Sequence, residues 1–162
     1  MSRTNIIEIL KLIICIGVCQ LAGFVGSLFT TPSIPTWYAA IRKPSFTPPN
    51  SVFGPVWTTL FLLMGISAYL IWRKGLQDKN VKLALLIFIA QLGLNVLWSI
   101  LFFGLHSPFS AFIEIIILWL VILVTFVSFM KISKPAGILL LPYLIWVAFA
   151  AILNYNLWKL NS

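Results

Sequence analysis

Two carboxamides and two aromatic rings recur at helical spacing within one apolar stretch of the chain. Gln91, Asn95, Trp98 and Phe102 are separated by four, three and four positions, a spacing that places them on one face of a helix. Carboxamides in an apolar environment need hydrogen-bond partners. They therefore bond to neighbouring helices, line a cavity, or do both.

Glu114 is the acid that lies well inside another apolar stretch. A carboxylate is costly there, so we expect it to be protonated, paired or exposed to a watery cavity. Counting residues from the turn near Leu105 places Glu114 level with the segment between Asn95 and Trp98, and these three side chains could meet if their faces converge. The simpler alternative is a neutral acid hydrogen-bonded to a neighbouring helix.

The last apolar stretch carries a third aromatic and polar face, formed by Tyr143, Trp146, Ala150 and Asn154. The same depth count places Trp146 level with Gln91 and Asn95. Trp57, in the second apolar stretch, matches the depth of Trp98. We therefore expect Trp57, Trp98 and Trp146 to form the walls of a pocket, since indole rings offer large rigid surfaces.

Metal and redox chemistry find little support in the sequence. Cys15 and Cys19 lie four positions apart inside an apolar stretch, where they are expected to pack as small apolar residues. His106 stands alone in a short turn and is expected to be a solvated turn residue. No conventional nucleophile, acid-base pair or metal site accompanies the candidate pocket beyond Glu114.

A sterol-contact pattern occurs near the end of the chain. Leu153, Tyr155 and Lys159 match the loose order of a branched apolar residue, a tyrosine and a cation. The pattern is hypothesis-grade, so it adds cholesterol-like molecules only as candidate ligands.

The composition indicates which elements position these groups. The 162 residues are 61% hydrophobic and 9% charged, against about 45–50% apolar and 25% charged in soluble proteins. The net charge of +8 comes from cations at the ends of apolar segments, without the basic stripe that nucleic-acid binding requires. The sequence therefore predicts an integral membrane protein surrounded by lipid and excludes a nucleic-acid partner.

Five apolar segments are long enough to span a bilayer, which takes about 20 residues. They lie near residues 6–29, 52–72, 81–104, 108–130 and 136–158. The first segment is longer than the h-region of a signal peptide, so we expect it to be a helix that the mature protein retains. The sequence predicts an all-α, five-transmembrane-helix bundle forming a single domain over residues 1–162.

The distribution of Lys and Arg between the two sides of the membrane predicts the orientation of the chain. Eight lie at the N-terminus and in the second and fourth loops: Arg3, Lys11, Arg73, Lys74, Lys79, Lys82, Lys131 and Lys134. Arg42, Lys43 and Lys159 lie on the opposite side. By the positive-inside rule the N-terminus is inside, and the first loop faces outward in a prokaryotic plasma membrane.

The loop between the first two spans is rich in proline. Six of the nine prolines lie in or next to it: Pro32, Pro35, Pro44, Pro48, Pro49 and Pro55. Proline fixes its own φ and favours extended backbone before it, so the loop is expected to be stiff. Because Trp37, Tyr38, Ile41 and Phe46 need a surface to cover them, we expect the loop to act as a lid on the bundle.

These motifs together resemble the translocator protein and tryptophan-rich sensory protein family over nearly the whole chain. The resemblance is carried by GFVGS at 23–27, WY at 37–38, KPSF at 43–46, PP at 48–49, VFGPVWT at 52–58, QLGLN at 91–95 with Trp98, FFG at 102–104, PYLIW at 142–146, FA at 149–150 and LNY at 153–155. Phe46 stands where many members carry tryptophan.

The resemblance implies a pocket under the first loop that binds porphyrins, sterols and isoquinoline-type drugs. It implies pocket roles for Trp57, Gln91, Asn95, Trp146 and Ala150, with loop contacts from Trp37, Tyr38 and Pro44; the family's acidic position corresponds to Glu114. No cofactor is required, porphyrin or haem being a ligand, and a homodimer is compatible with the family. The alternatives are light-dependent porphyrin breakdown using Trp57 and Trp146, and a regulator that acts through a partner protein.

Overall fold

The computed structural model describes residues 3–162, with side chains from Asn5 onward. The described chain is α-helical and contains no strand. The helices are α1 (Arg3–Ser33), the short α2 (Trp37–Ala40), α3 (Asn50–Trp72), α4 (Lys79–Ser99), α5 (Pro108–Ile132) and α6 (Lys134–Asn161), and a π-helical turn (Ile100–Gly104) continues α4. Within residues 3–162, five helices are long and apolar enough to cross a membrane. The predicted all-α five-helix membrane fold is confirmed.

The spans extend beyond their predicted ends. The sequence placed the end of the first span at residue 29, whereas α1 continues to Ser33 and includes Pro32 in its last turn. Because proline has no N–H to donate, α1 loses one internal hydrogen bond at Pro32, and the helix ends at the next residue. The terminal Ser33 is buried, and its hydroxyl donates to the Phe103 carbonyl at 2.7 Å, which ties the extra turn to the end of α4.

The long helices form a closed ring in which the neighbours are α1, α3, α6, α5 and α4, returning to α1. Large aliphatic side chains cover the outside; Leu86 and Ile145, for example, are more than half exposed. An apolar exterior is stable in lipid, where burying it gains nothing. The ring therefore directs its polar residues inward.

The helices approach one another most closely in the half of the bundle away from the first loop, which we call the far half. A Cβ added at Gly65 would lie 2.6 Å from the Ile16 Cα, so the backbones of α1 and α3 meet there. Gly137 contacts Met130 between α6 and α5 in the same way. Ser67 donates to the Ala136 carbonyl at 2.7 Å. Small residues thus allow backbone-to-backbone packing in the far half.

The first loop, residues 34–49, contains four prolines, since Pro32 belongs to α1 and Pro55 to α3. The α2 ring of Trp37 stacks on His106 at 4.6 Å. The side chain of Asn161 accepts from the Arg42 amide and donates to the Arg42 carbonyl, each at 2.9 Å. The loop is therefore attached to the turn after α4 and to the end of α6, and its action as a lid stays a prediction.

Candidate ligand-binding site

A cavity of about 500 Å³ occupies the half of the bundle next to the first loop, which we call the loop-side half. Its walls come from α1, α2, α3, α4 with its π-helical turn, and α6; α5 does not contribute. The volume lies within the roughly 300–1,000 Å³ typical of small-molecule sites. The cavity is therefore large enough for an organic ligand.

Three tryptophans from three different helices line this cavity, namely Trp57, Trp98 and Trp146. Trp57 packs against Phe61, with ring centroids 5.6 Å apart. Trp146 meets Phe53 edge-on at 6.1 Å. Phe61 and Phe53 also line the cavity and were not predicted as site residues. Phe61 lies one helical turn from Trp57, so the 3.6-residue period could have revealed it.

The Trp98 indole is held by a polar chain through the core. Its Nε1 donates to the Asn154 Oδ1 at 2.9 Å, and the Asn154 Nδ2 donates to the Pro108 carbonyl at 2.8 Å. This ring also stacks on Phe102 at 5.1 Å. Trp98 is thus a rigid wall because α4, α5 and α6 all contribute to its position.

Asn95 connects the cavity wall to the interior. Its Nδ2 donates to the Tyr143 hydroxyl at 3.0 Å, and that hydroxyl donates to the Gln91 Oε1 at 2.7 Å. Asn95 lines the cavity, whereas Gln91 and Tyr143 lie behind it. Asn95 is thus the member of this hydrogen-bonded chain that a ligand could contact.

Glu114 is buried, and neither carboxyl oxygen has a hydrogen-bond partner in the part of the chain that the structure describes. It does not line the cavity. Glu114 could have met Asn95 and Trp98 if their faces converged, but it makes no hydrogen bond to either. Asn95 bonds to Tyr143, and Trp98 bonds to Asn154. Tyr143 stands between Asn95 and the rest of the polar core.

The first loop contributes Tyr38 to the cavity. Tyr38 is 4% exposed and packs against Phe102 and Phe103. Burial raises the pKa of its phenol, which therefore stays neutral well into the alkaline range. The Lys43 ammonium lies over the same ring, 4.6 Å from its centroid.

Two predicted loop contacts do not reach the cavity. Trp37 packs on Phe102 and His106 outside the lining, and Pro44 serves the loop itself by accepting hydrogen bonds from Thr47. His106 is exposed, as expected for a turn residue, and has a positive φ of 52°.

The π-helical turn at the end of α4 places aromatic rings at the cavity. The Leu105 amide bonds to the Ile100 carbonyl, five residues back, at 2.8 Å. The wider turn carries Phe102 and Phe103, which both line the cavity. Such turns occur often at functional sites, and the sequence pattern did not reveal this one.

The small residues of α1 pack inside the bundle. A Cβ at Gly26 would lie 3.1 Å from the Ser99 hydroxyl oxygen of α4, and one at Gly23 would meet the Phe61 ring at 2.6 Å. Small residues four positions apart on a membrane helix can allow packing inside a bundle or dimerisation, and these two contact neighbouring helices of their own bundle.

The residues of the sterol-contact pattern are divided between two surfaces. Leu153 is buried and lines the cavity. Tyr155 is 41% exposed and packs against Phe112 and Trp158, while the Lys159 ammonium lies over the Trp158 ring. Residues two positions apart on a helix point in different directions, so these three do not form one binding face.

The predicted site residues thus separate into two groups. Those that line the cavity are Tyr38, Trp57, Asn95, Trp98, Trp146, Ala150 and Leu153. Those that lie outside its lining are Trp37, Pro44, Gln91, Glu114, Tyr143, Tyr155 and Lys159. The described residues contain no cluster of three metal-ligating side chains.

These features define an integral membrane protein whose five-helix bundle encloses an aromatic cavity. Residues 15–159 match the TspO/MBR family, and the chain belongs to that family. The resemblance seen in the sequence motifs is confirmed.

Relatives from all three domains of life are similar over most of their length. The tryptophan-rich protein TspO of Archaeoglobus fulgidus is 48% identical over 156 residues, or 96% of this chain and 99% of the relative. The tryptophan-rich protein TspO of Chlorobaculum tepidum is 42% identical over 95% of this chain and 98% of its own. The human translocator protein is 39% identical over 88% of this chain and 85% of its own.

Proposed function

We propose that this protein binds a flat hydrophobic ligand of the tetrapyrrole or sterol class in the loop-side cavity, with the first loop as its lid. The observation that carries this proposal is the meeting of three tryptophans from α3, α4 and α6 around one cavity of about 500 Å³. Large, rigid aromatic walls favour flat apolar molecules, because their contact area costs little conformational entropy.

Polar groups at the cavity would orient the ligand. The Asn95 carboxamide lines the cavity while its nitrogen is held by Tyr143. The Lys43 ammonium lies over the ring of Tyr38, which lines the cavity, and suits a carboxylate such as a porphyrin propionate. With the first loop facing outward in a prokaryotic plasma membrane, the ligand's polar edge would lie toward the outer surface.

The relatives' names describe translocation and sensing. Both activities begin with reversible binding, so a binding site is the common element. The proposal therefore concerns binding, the step on which either outcome depends.

A cavity-filling substitution with a matched control tests the proposal. Ala150 lines the cavity, while Ile152, two positions along the same helix, is 58% exposed to the lipid side. Protoporphyrin is titrated in the dark into purified Ala150→Phe and Ile152→Phe proteins, and its absorbance is followed. We expect Ala150→Phe to weaken binding at least about tenfold, equivalent to about 1.4 kcal/mol, and Ile152→Phe to bind as the unaltered protein does.

Equal affinity of both variants would place any porphyrin binding outside this cavity and would contradict the proposal. Displacement of bound protoporphyrin by a sterol would extend the ligand class. Repeating the titration under illumination addresses the enzymatic alternative, which the cavity positions of Trp57 and Trp146 favour. Loss of the porphyrin band that depends on both indoles would support light-dependent breakdown.

A further inference from the structure

A second polar site lies in the core of the bundle, behind the ligand cavity, where α4, α5 and α6 meet. It consists of Glu114, Gln91 and Tyr143, which are 6%, 1% and 1% exposed. None of the three lines the cavity. Buried polar atoms nearly always have hydrogen-bond partners, so any atom of this cluster that lacks one needs a physical explanation.

Three polar atoms of the cluster lack a partner among the described residues, namely both carboxyl oxygens of Glu114 and the Gln91 Nε2. The other side of the Gln91 amide is occupied, since its Oε1 accepts from the Tyr143 hydroxyl. Glu114 lies on α5, which packs against both α4 and α6. An unused donor and two unused acceptors are therefore buried where these three helices meet.

The groups around Glu114 bring no positive charge. Tyr143 comes from α6, Cys19 of α1 belongs to the same buried core as Tyr143, and α4 contributes the neutral amides of Gln91 and Asn95. The π-helical turn, which also packs on α5, contains no titratable residue. The one ion pair within the described chain joins Lys11 to Glu8. An ionised Glu114 would thus be an uncompensated charge inside the bilayer, which costs several kcal/mol.

We propose that Glu114 and Gln91 form a binding site for one proton and one water molecule. The proton occupies one carboxyl oxygen of Glu114, so the side chain is a neutral acid. The water accepts a hydrogen bond from the Gln91 Nε2 and donates one to the other carboxyl oxygen. A buried water with polar partners of this kind is a normal constituent of a protein interior.

The site is connected to the ligand cavity by hydrogen bonds already present. Gln91 accepts from Tyr143, and Tyr143 accepts from Asn95, which lines the cavity. The proposal itself does not depend on ligand binding, and its test needs no ligand.

Infrared spectroscopy tests the proposal directly, because the chain has only three acidic residues, Glu8, Asp78 and Glu114. The protein in lipid nanodiscs at neutral pH is expected to show one protonated carboxylic C=O band. That band should disappear in Glu114→Gln and persist in Glu8→Gln. Carbon-13 labelling of glutamate in Glu8→Gln should shift the band, which assigns it to Glu114 even if Glu114→Gln fails to fold.

The water is tested by Gln91→Leu and by exchange into oxygen-18 water. We expect Gln91→Leu to move the Glu114 C=O band to higher frequency. In the unaltered protein, oxygen-18 water should shift an O–H band of the bound water, and the Gln91→Leu protein should lack that band. An absent C=O band at neutral pH, with glutamate carboxylate bands in its place, overturns the proton site. A C=O band that Gln91→Leu leaves unmoved, without an isotope-sensitive O–H band, overturns the water site.

Discussion

The same helices pack closely in the far half of the bundle and enclose a cavity in the loop-side half. In the far half, Gly65 lets α1 and α3 touch backbone to backbone at Ile16. In the loop-side half, the Phe61 ring of α3 lies against Gly23 of α1, and Phe61 and Trp57 line a cavity of about 500 Å³. The size of the residue at each helix contact therefore decides whether the bundle closes or leaves space.

The halves also differ in how their buried polar groups are used. The Ser67 hydroxyl in the far half makes a single bond to the Ala136 carbonyl of α6. Toward the loop, Asn95, Tyr143 and Gln91 form a chain between α4 and α6, and Trp98 and Asn154 form a second. Hydrogen bonds can hold helices together where side chains do not fill the space. We infer that stability depends on close packing in the far half and on polar links near the cavity.

The largest expected effect is at Gly65. Gly65→Ala places a Cβ 2.6 Å from the Ile16 Cα and 2.9 Å from its amide nitrogen, and backbone atoms cannot rotate away. We expect the free energy of unfolding to fall by about 3 kcal/mol, the upper part of the range for overpacking. Thermal unfolding in detergent measures it.

Gly93→Ala is the matched control, because a Cβ there meets nothing within 4 Å. Replacing a helix glycine by alanine without a clash should raise the free energy of unfolding by up to about 1 kcal/mol. Equal behaviour of the two variants would show that α1 and α3 are not in close contact, and the contrast between the halves would disappear.

A smaller effect is expected from Tyr143→Phe, which removes the hydroxyl between Asn95 and Gln91. Two buried amide groups lose a partner, so we expect a loss of about 1–3 kcal/mol in the free energy of unfolding. Tyr155→Phe is the control, since Tyr155 is 41% exposed, and should change stability by less than about 0.5 kcal/mol. An unchanged melting temperature for Tyr143→Phe would mean that the polar chain does not hold α4 to α6.

The smallest effect is expected at the attachment of the first loop to α6. Asn161→Ala removes both hydrogen bonds to the Arg42 backbone, which are exposed to solvent. We expect less than about 1 kcal/mol of global destabilisation, together with faster hydrogen exchange at the Arg42 amide. Asn156→Ala is the control, because that side chain bonds only to Ile152 in its own helix. Unaltered exchange at Arg42 would exclude Asn161 as a tether of the loop.

Much of the site was predictable because intramembrane polar residues are rare and helical spacing is regular. The face formed by Gln91, Asn95, Trp98 and Phe102 follows from spacing alone, and all four point into the bundle. Depth counting also predicted that Trp57, Trp98 and Trp146 would lie together, and all three line one cavity. Counting residues gives the depth of a side chain in the membrane but not the rotation of its helix. Glu114, counted to the depth of the segment between Asn95 and Trp98, does not line the cavity.

The sequence by itself determined the membrane location, the five spans and the family. These properties rest on long apolar segments, whose burial in lipid does not depend on the neighbouring helix, and on motifs that can be read in order along the chain. The tertiary structure decided that Asn95 bonds to Tyr143 rather than to Glu114, that a π-helical turn ends α4, and that Asn161 holds the loop. Such contacts depend on how each helix is rotated and where it crosses its neighbours. The side chains of several helices fix that geometry together, and one segment cannot specify it alone.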